Sequence, residues 1–131
     1  DGKVTTIGKR TVSPDGKTDS YSMKVRTYGS FFRVLYNASY LERTESEYIL
    51  SLLAQSKFKT GIVAGIPGDI VVAHKFGEAR FQNGDTQIHD CGIIYKPEQP
   101  YLICIMTHGN DFKVQSEIIA DLSKIIWDIL K

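Results

Sequence analysis

No stretch of the 131 residues approaches the roughly 20 consecutive apolar residues that a membrane-crossing helix needs. This chain therefore carries no expected membrane segment. It also lacks a surplus of either charge: 16 Lys and Arg stand against 15 Asp and Glu, for a net charge of +1. That balance gives no electrostatic case for nucleic acid or for an anionic membrane surface, both of which call for clustered basic residues. Cysteine is scarce. Cys91 and Cys104 match no metal-ligand spacing, and the reading adopted is two buried thiols acting as small hydrophobes, with a disulfide as the alternative. There is no positively charged, apolar leader of the kind that marks export. The sequence opens on Asp1-Gly2-Lys3 without an initiator Met, and the expectation is a processed or excised piece.

What is present suits one domain. A chain of this length buries about two thirds of its unfolded surface, and 42% hydrophobic with 24% charged residues is an ordinary globular balance. Residues 1–22 are rich in Gly, Thr, Ser, Lys and Asp, with Ser13-Pro14-Asp15-Gly16 as a turn signal. They are expected to be mostly surface loop, with room for a short strand at residues 4–7. From residue 26 the period becomes helical: Tyr28, Phe31, Phe32, Leu35 and Tyr36 form one stripe. The Asn37-Ala38-Ser39 sequon at its end is read as coincidental. A second helix is predicted to start with a Thr44/Glu47 capping box, to bury Tyr48, Ile49, Leu52 and Leu53, and to end near residues 55–57. Short connections make the two helices antiparallel neighbours.

A glycine-punctuated loop over residues 60–68 leads to three predicted strands at 69–75, 86–95 and 101–107, joined by an Asn83-Gly84 hairpin signal and by Pro97-Glu98-Gln99-Pro100. The first strand is apolar on both faces, as a strand covered on both sides is. Gly109-Asn110-Asp111 precedes a final helix whose apolar set is Val114, Ile118, Ile119, Leu122, Ile125, Ile126, Ile129 and Leu130, with Trp127 at the stripe's edge. The expected fold is α+β: a three-stranded antiparallel sheet flanked by helices, the last helix on one face and the helical pair on the other. Three strands make a thin core, so the fold is expected to be incomplete.

Two motif matches are literal only. Ser56-Lys57-Phe58-Lys59 fits S-x-x-K and Lys59-Thr60-Gly61 fits K-T-G. However, the first falls at a helix end, where no helix N-terminus supports a nucleophile, and the second falls in a loop. A metal alternative depends on register. A two-residue Asn83-Gly84 loop sets Gln82 opposite Asp85 and Glu78 opposite His89, and a turn setting Lys96 opposite Tyr101 puts His108 opposite His89. Glu78, His89 and His108 would then form a row of zinc-type ligands. A one-residue slip breaks that row, and no metal or cofactor is expected.

His74-Lys75-Phe76-Gly77-Glu78 sits in the right context for a K-T-G-like motif, on an inner strand followed by a hairpin partner. Four further stretches keep its order and spacing: Phe31-Phe32-Arg33-Val34-Leu35-Tyr36-Asn37, Gly61-Ile62-Val63-Ala64-Gly65-Ile66-Pro67, His89-Asp90-Cys91-Gly92-Ile93-Ile94-Tyr95 and Pro100-Tyr101-Leu102. On these residues the chain from Tyr28 to Lys131 resembles the C-terminal half of the serine β-lactamase and penicillin-binding transpeptidase superfamily, class A-like branch. The resemblance implies that Lys75 supplies positive charge beside the nucleophile and the substrate carboxylate. It implies that the Glu78 backbone N–H is one of two oxyanion-hole donors. His74, Phe76 and Gly77 become substrate-binding positions, the glycine admitting the ligand close to the strand backbone.

Two departures qualify the activity implied. Phe76 stands where the motif has a hydroxyl residue, which removes a hydrogen bond to the substrate carboxylate. No Ser-x-x-Lys at a helix start and no Ser-x-Asn loop occur in the chain, so the nucleophile is expected from an N-terminal half of the same domain. The expected function is part of a serine hydrolase or acyltransferase that acts on β-lactams or on D-Ala-D-Ala-type peptidoglycan peptides through an acyl-enzyme. The alternative is a non-catalytic binding or scaffolding relative. A periplasmic, secreted or cell-surface bacterial location follows from the resemblance alone.

Overall fold

The computed structural model describes residues 9–12 and 18–130. Strands β1 (Lys9–Val12) and β2 (Thr18–Ser22) pair antiparallel as a separate two-stranded sheet. This corrects the expectation of loop over residues 1–22. The strand suggested at residues 4–7 and the turn at 13–16 lie outside the described residues. Helices α1 (Val25–Tyr36) and α2 (Arg43–Ala54) follow. After a 3-10 turn at Ile62–Gly65 come β3 (Val72–Arg80), β4 (Thr86–Ile94), β5 (Tyr101–Gly109) and α3 (Phe112–Ile129). The three later strands form one antiparallel sheet in the order β3-β4-β5. The expected fold class is therefore the observed one. The first strand of the sheet begins three residues later than predicted and runs on to Arg80.

The hairpin between β3 and β4 sets everything downstream. Phe81 N–H donates to Asp85 O at 2.8 Å, Gly84 N–H donates to Phe81 O at 3.1 Å, and Gly84 has φ +86°. The loop is thus three residues long with a left-handed glycine, as in a bulged hairpin, and is not the two-residue turn that Asn-Gly suggests. One extra loop residue slips the register by one. Gly77 faces His89 and Glu78 faces Ile88. At the next turn Ile94 pairs with Tyr101, and His89 faces Met106. The row Glu78, His89, His108 does not form. Among the described residues no three His, Cys, Asp or Glu side chains are placed to hold a metal ion.

Each face of the sheet has its own core. One holds Ile62, Ile66, Val72, Ile88, Ile94, Ile103 and Ile119, with Phe76, Ile126 and Trp127 against it, between the sheet and α3. The other holds Phe32, Leu50, Ala73, Cys91 and Ile93, between the sheet and the α1–α2 pair. α3 starts where Asp111 accepts from the N–H groups of Lys113 and Val114 at 2.8 and 3.1 Å, an N-cap that satisfies free donors. It ends where the Lys96 ammonium donates to the carbonyls of Trp127 and Leu130 and lies 4.5 Å from the Trp127 ring centre. That placement suits the negative end of the helix dipole. It also draws Trp127 inward onto the core, away from the stripe's edge.

Helix faces differ from the periodic reading. On α2 the capping contact is Glu45 accepting from Glu42 N–H at 3.2 Å, and Glu47 pairs with Arg43 instead. The buried positions are Ser46 and Leu50, while Tyr48 and Leu52 are 65% and 48% exposed. On α1 Gly29 and Phe32 are buried, while Phe31 and Tyr36 are exposed. On α3 Gln115, Ser116, Ile119 and Ser123 face inward, and Val114, Ile118, Leu122, Ile125 and Ile129 are exposed. Small and polar side chains win the contact here because backbones approach closely. A Cβ on Gly65 would lie 2.3 Å from the Ala120 carbonyl oxygen.

The cysteines also differ from the adopted reading. Cys91 and Cys104 face each other across β4 and β5 with Cα atoms 4.0 Å apart, and their sulfurs are bonded. The spacing is that of the close, non-hydrogen-bonded type of antiparallel pair, which brings the two side chains together on one face.

Candidate functional site

β3 is an edge strand, and its hydrogen bonding decides which groups reach that edge. The bonds from Phe81 N–H to Asp85 O and from Tyr95 N–H to Val71 O fix the odd-numbered residues as the hydrogen-bonded partners of β4. In an antiparallel pair these alternate with outward-facing positions. The backbone N–H and C=O groups of Val72, His74, Phe76 and Glu78 therefore point to the outer side, where no strand pairs among the described residues. The Glu78 N–H is thus displayed where a ligand carbonyl oxygen can accept it. The Glu78 carboxylate is held aside by Arg80 at 2.6 Å.

Lys75 is exposed and points to the α1 side of the sheet, the face it shares with Ala73 and Gly77. Its ammonium curls back to donate to the Phe76 carbonyl, and the Tyr28 hydroxyl donates to the Lys75 carbonyl at 3.4 Å. His89 lies across Gly77: a Cβ built there would come within 2.2 Å of His89 Nε2. The glycine at this place thus admits a histidine from the neighbouring strand, a reason distinct from the ligand approach expected of it. The Tyr28 ring meets the His89 ring edge-on at 5.0 Å. Partial burial, reinforced by Lys75, holds the His89 imidazole below its ordinary pKa, with Asp90 opposing the shift. Burial, followed by the Asp90 charge, raises that of Tyr28.

His74 is placed elsewhere. Its side chain is 0% exposed on the α3 side, and its Nδ1 lies 2.8 Å from Oδ1 of Asp90, which is equally buried. Asp90 Oδ2 accepts from the Ile62 N–H at 3.0 Å, and Ser123 Oγ donates to the Ile62 carbonyl at 3.0 Å. A carboxylate only accepts, so His74 Nδ1 carries a proton. Nε2 is buried without a partner among the described residues. A ligand at the edge meets the backbone of His74, not its ring. Phe76 also turns to this side, stacked on Phe58 at 3.9 Å and edge-on to Phe112 at 5.9 Å. Of the five positions singled out in the sequence, Lys75 and the Glu78 N–H stand together at the edge with Gly77 between them. His74 and the Phe76 ring support the strand from behind. Ser56 lies beyond the end of α2, as expected.

Asp90 and Tyr28 were not legible as neighbours of this edge, and the sequence offered His89 only as a zinc-type ligand in a row with Glu78 and His108. The one-residue slip of the hairpin moves His89 from a place opposite Glu78 to one over Gly77, and burial of an Asp–His pair needs the third dimension. The available signal was Gly77 itself, since a strand glycine often marks close approach of another group.

A three-stranded antiparallel sheet, with a terminal helix on one face, a helical pair on the other and a lysine on its exposed edge strand, is the layout of the β-lactamase and penicillin-binding transpeptidase fold. Solved structures with this fold superpose on it. "Structure of PBP-A" gives a TM-score of 0.73 at 18% identity, covering 98% of this chain and 46% of that one. A class A beta-lactamase from Mycobacterium abscessus gives 0.70 at 21%, covering 98% and 50%. The beta-lactamase from Sphaerobacter thermophilus DSM 20745 gives 0.70 at 16%, covering 82% and 40%. The sequence matches the beta-lactamase enzyme family over residues 3–130, and the chain belongs to that family. It spans about half the length of the solved relatives it matches. Comparison with curated proteins finds no match.

Proposed function

We propose that the chain forms one wall of an acyl-transfer cleft acting on β-lactams or D-Ala-D-Ala-type peptidoglycan peptides through a serine acyl-enzyme. The observation that carries this reading is the Glu78 N–H on the open edge of β3, two residues beyond the exposed Lys75 side chain's neighbour Phe76. Such a donor stabilises an oxyanion as it develops, while the lysine favours a nearby anion. The serine comes from an N-terminal half of the same domain. Two features support that part: the half-length match to the relatives, and the exposed apolar side chains of α1 and α3, Phe31 and Val34 on the first and Ile118, Leu122, Ile125 and Ile129 on the second, of the kind an interface covers. One relative, the L158E mutant of PBP-A, is described as an acyl-enzyme complex with penicillin-G. The Cys91–Cys104 bond suits an oxidising, exported location. A second reading, a non-catalytic binding domain, is favoured by Phe76, whose ring is committed to Phe58 and offers no hydroxyl. Mass spectrometry of the intact protein with benzylpenicillin separates the two. A penicilloyl adduct on a serine supports acyl transfer, and no adduct at saturating penicillin sinks it.

A further inference from the structure

Phe76 turns its ring away from the Lys75 side of the strand, so the edge lacks the polar side chain that its motif would supply. The structure offers another group at that place. The imidazole of His89 projects from β4 across the bare backbone of Gly77 and reaches the edge strand. It stands on the same face as Lys75, next to the residue whose N–H faces outward. No hydrogen-bond partner of either ring nitrogen is present among the described residues, although the ring is half buried and braced edge-on by Tyr28. A half-buried imidazole held in one orientation beside a cation, with its ring nitrogens uncommitted within the protein, is placed to hydrogen-bond a ligand group at this edge.

We propose that His89 contacts the ligand, and that its imidazole N–H and the Lys75 ammonium together take the substrate carboxylate. The ligand class rests on the acyl-transfer reading above. The groups facing His89 are Lys75 from β3 and Tyr28 from α1, with the uncharged Met106 opposite on β5 and Asp90 behind the sheet. Partial burial, reinforced by Lys75 and opposed by Asp90, favours the neutral imidazole, which presents one N–H and one lone pair. A bound carboxylate reverses the local charge and draws that N–H toward itself. Gly77 is the positioning residue: any side chain there displaces the ring.

The test uses the intact protein with benzylpenicillin and its methyl ester, in wild type, His89→Ala and Gly77→Ala. Acylation is followed by mass spectrometry and binding by the nitrogen resonances of labelled histidine. The proposal expects His89→Ala to lose about 10- to 100-fold with the free acid, the range for a hydrogen bond to a charged group, and to leave the ester unchanged. Gly77→Ala, which keeps the imidazole but pushes it aside, should lose at least as much with the free acid; the comparison of acid with ester is read on His89→Ala. Equal losses with acid and ester, or no loss, overturn the role of His89 while leaving acyl transfer standing. Absence of any adduct, together with movement of the His89 resonances by the acid and not by the ester, supports His89 and sinks acyl transfer. Absence of both overturns both.

Discussion

Removing the Asp90 carboxylate is expected to be among the costliest single changes in this chain, because two buried donors depend on it. Asp90→Ala strips His74 Nδ1, 2.8 Å away, and the Ile62 N–H, 3.0 Å away, of their shared acceptor. Each orphaned donor costs about 1–3 kcal/mol, so the two together cost roughly 2–6 kcal/mol. In urea, with a slope of about 1–3 kcal/mol/M, that lowers the midpoint by roughly 2 M. In a thermal melt, at roughly 3–5 °C per kcal/mol for this size, it lowers Tm by about 10–20 °C. Asp90→Asn should cost less. Its amide oxygen can keep the Ile62 N–H, but its NH2 group then faces Nδ1 and forces the His74 proton onto Nε2, which is buried without a partner. One unsatisfied donor corresponds to about 1–3 kcal/mol. Equilibrium urea unfolding of the three proteins, read by circular dichroism, checks the order wild type, Asn, Ala. An Ala variant within about 1 kcal/mol of wild type, below that range, refutes the account, as does an Asn variant at least as unstable as Ala.

Gly65→Ala should be strongly destabilising, because its Cβ would meet the backbone of α3 at the Ala120 carbonyl (2.3 Å) and the Lys124 N–H (2.7 Å); a melt indistinguishable from wild type would contradict the close packing. NMR titration should find the His89 imidazole below 6.5. Because the unfolded chain then binds the extra proton first, His89's contribution to stability is complete above 6.5 and is lost as pH falls through the window below it. A His89 pKa above 6.5 would refute the placement. Lys75→Met should weaken binding of anionic ligands by roughly 10-fold or more with an unchanged melt, and an unchanged affinity would remove Lys75 from the site. Reduction of the Cys91–Cys104 bond, which closes a loop of 13 residues, should cost about 2–3 kcal/mol; thiol alkylation of the native, unreduced protein would show instead that the bond is absent.

From α1 onward the order of elements, the three-stranded sheet and the placement of Lys75 on its first strand were legible in the sequence, because long periodic runs and turn residues announce themselves locally; the β1–β2 pair was not. Burial was less so. A stripe such as Val114, Ile118, Leu122, Ile125 and Ile129 reports which residues are apolar, not which neighbour is present to cover them, and here Ser116, Ile119 and Ser123 take the inner face. The capping contact of α2 sits two residues before the matching letters because Glu42 and Glu45 make the same bond with other side chains. The disulfide and the His74–Asp90 pair depend on registers that two turns set, and residue types leave a turn's length open, by one residue at the first turn and by two at the second.

That single residue of turn length has a wider effect than its size suggests. Along β4, His89 and Asp90 are consecutive and serve opposite faces of the sheet, one beside Lys75 and the other beneath Gly61. Closing the hairpin on Gln82 and Asp85, with a two-residue loop at 83–84 in place of the three-residue one, would shift every pairing of β3 against β4 by one and set Asp90 opposite Gly77, offering a carboxylate where the imidazole now lies. The loop itself is exposed and polar, a place where homologous chains usually tolerate changes in length. In this fold such a change acts as a frameshift in three dimensions, so loop length at 82–84 should be inherited as strictly as any residue of the site.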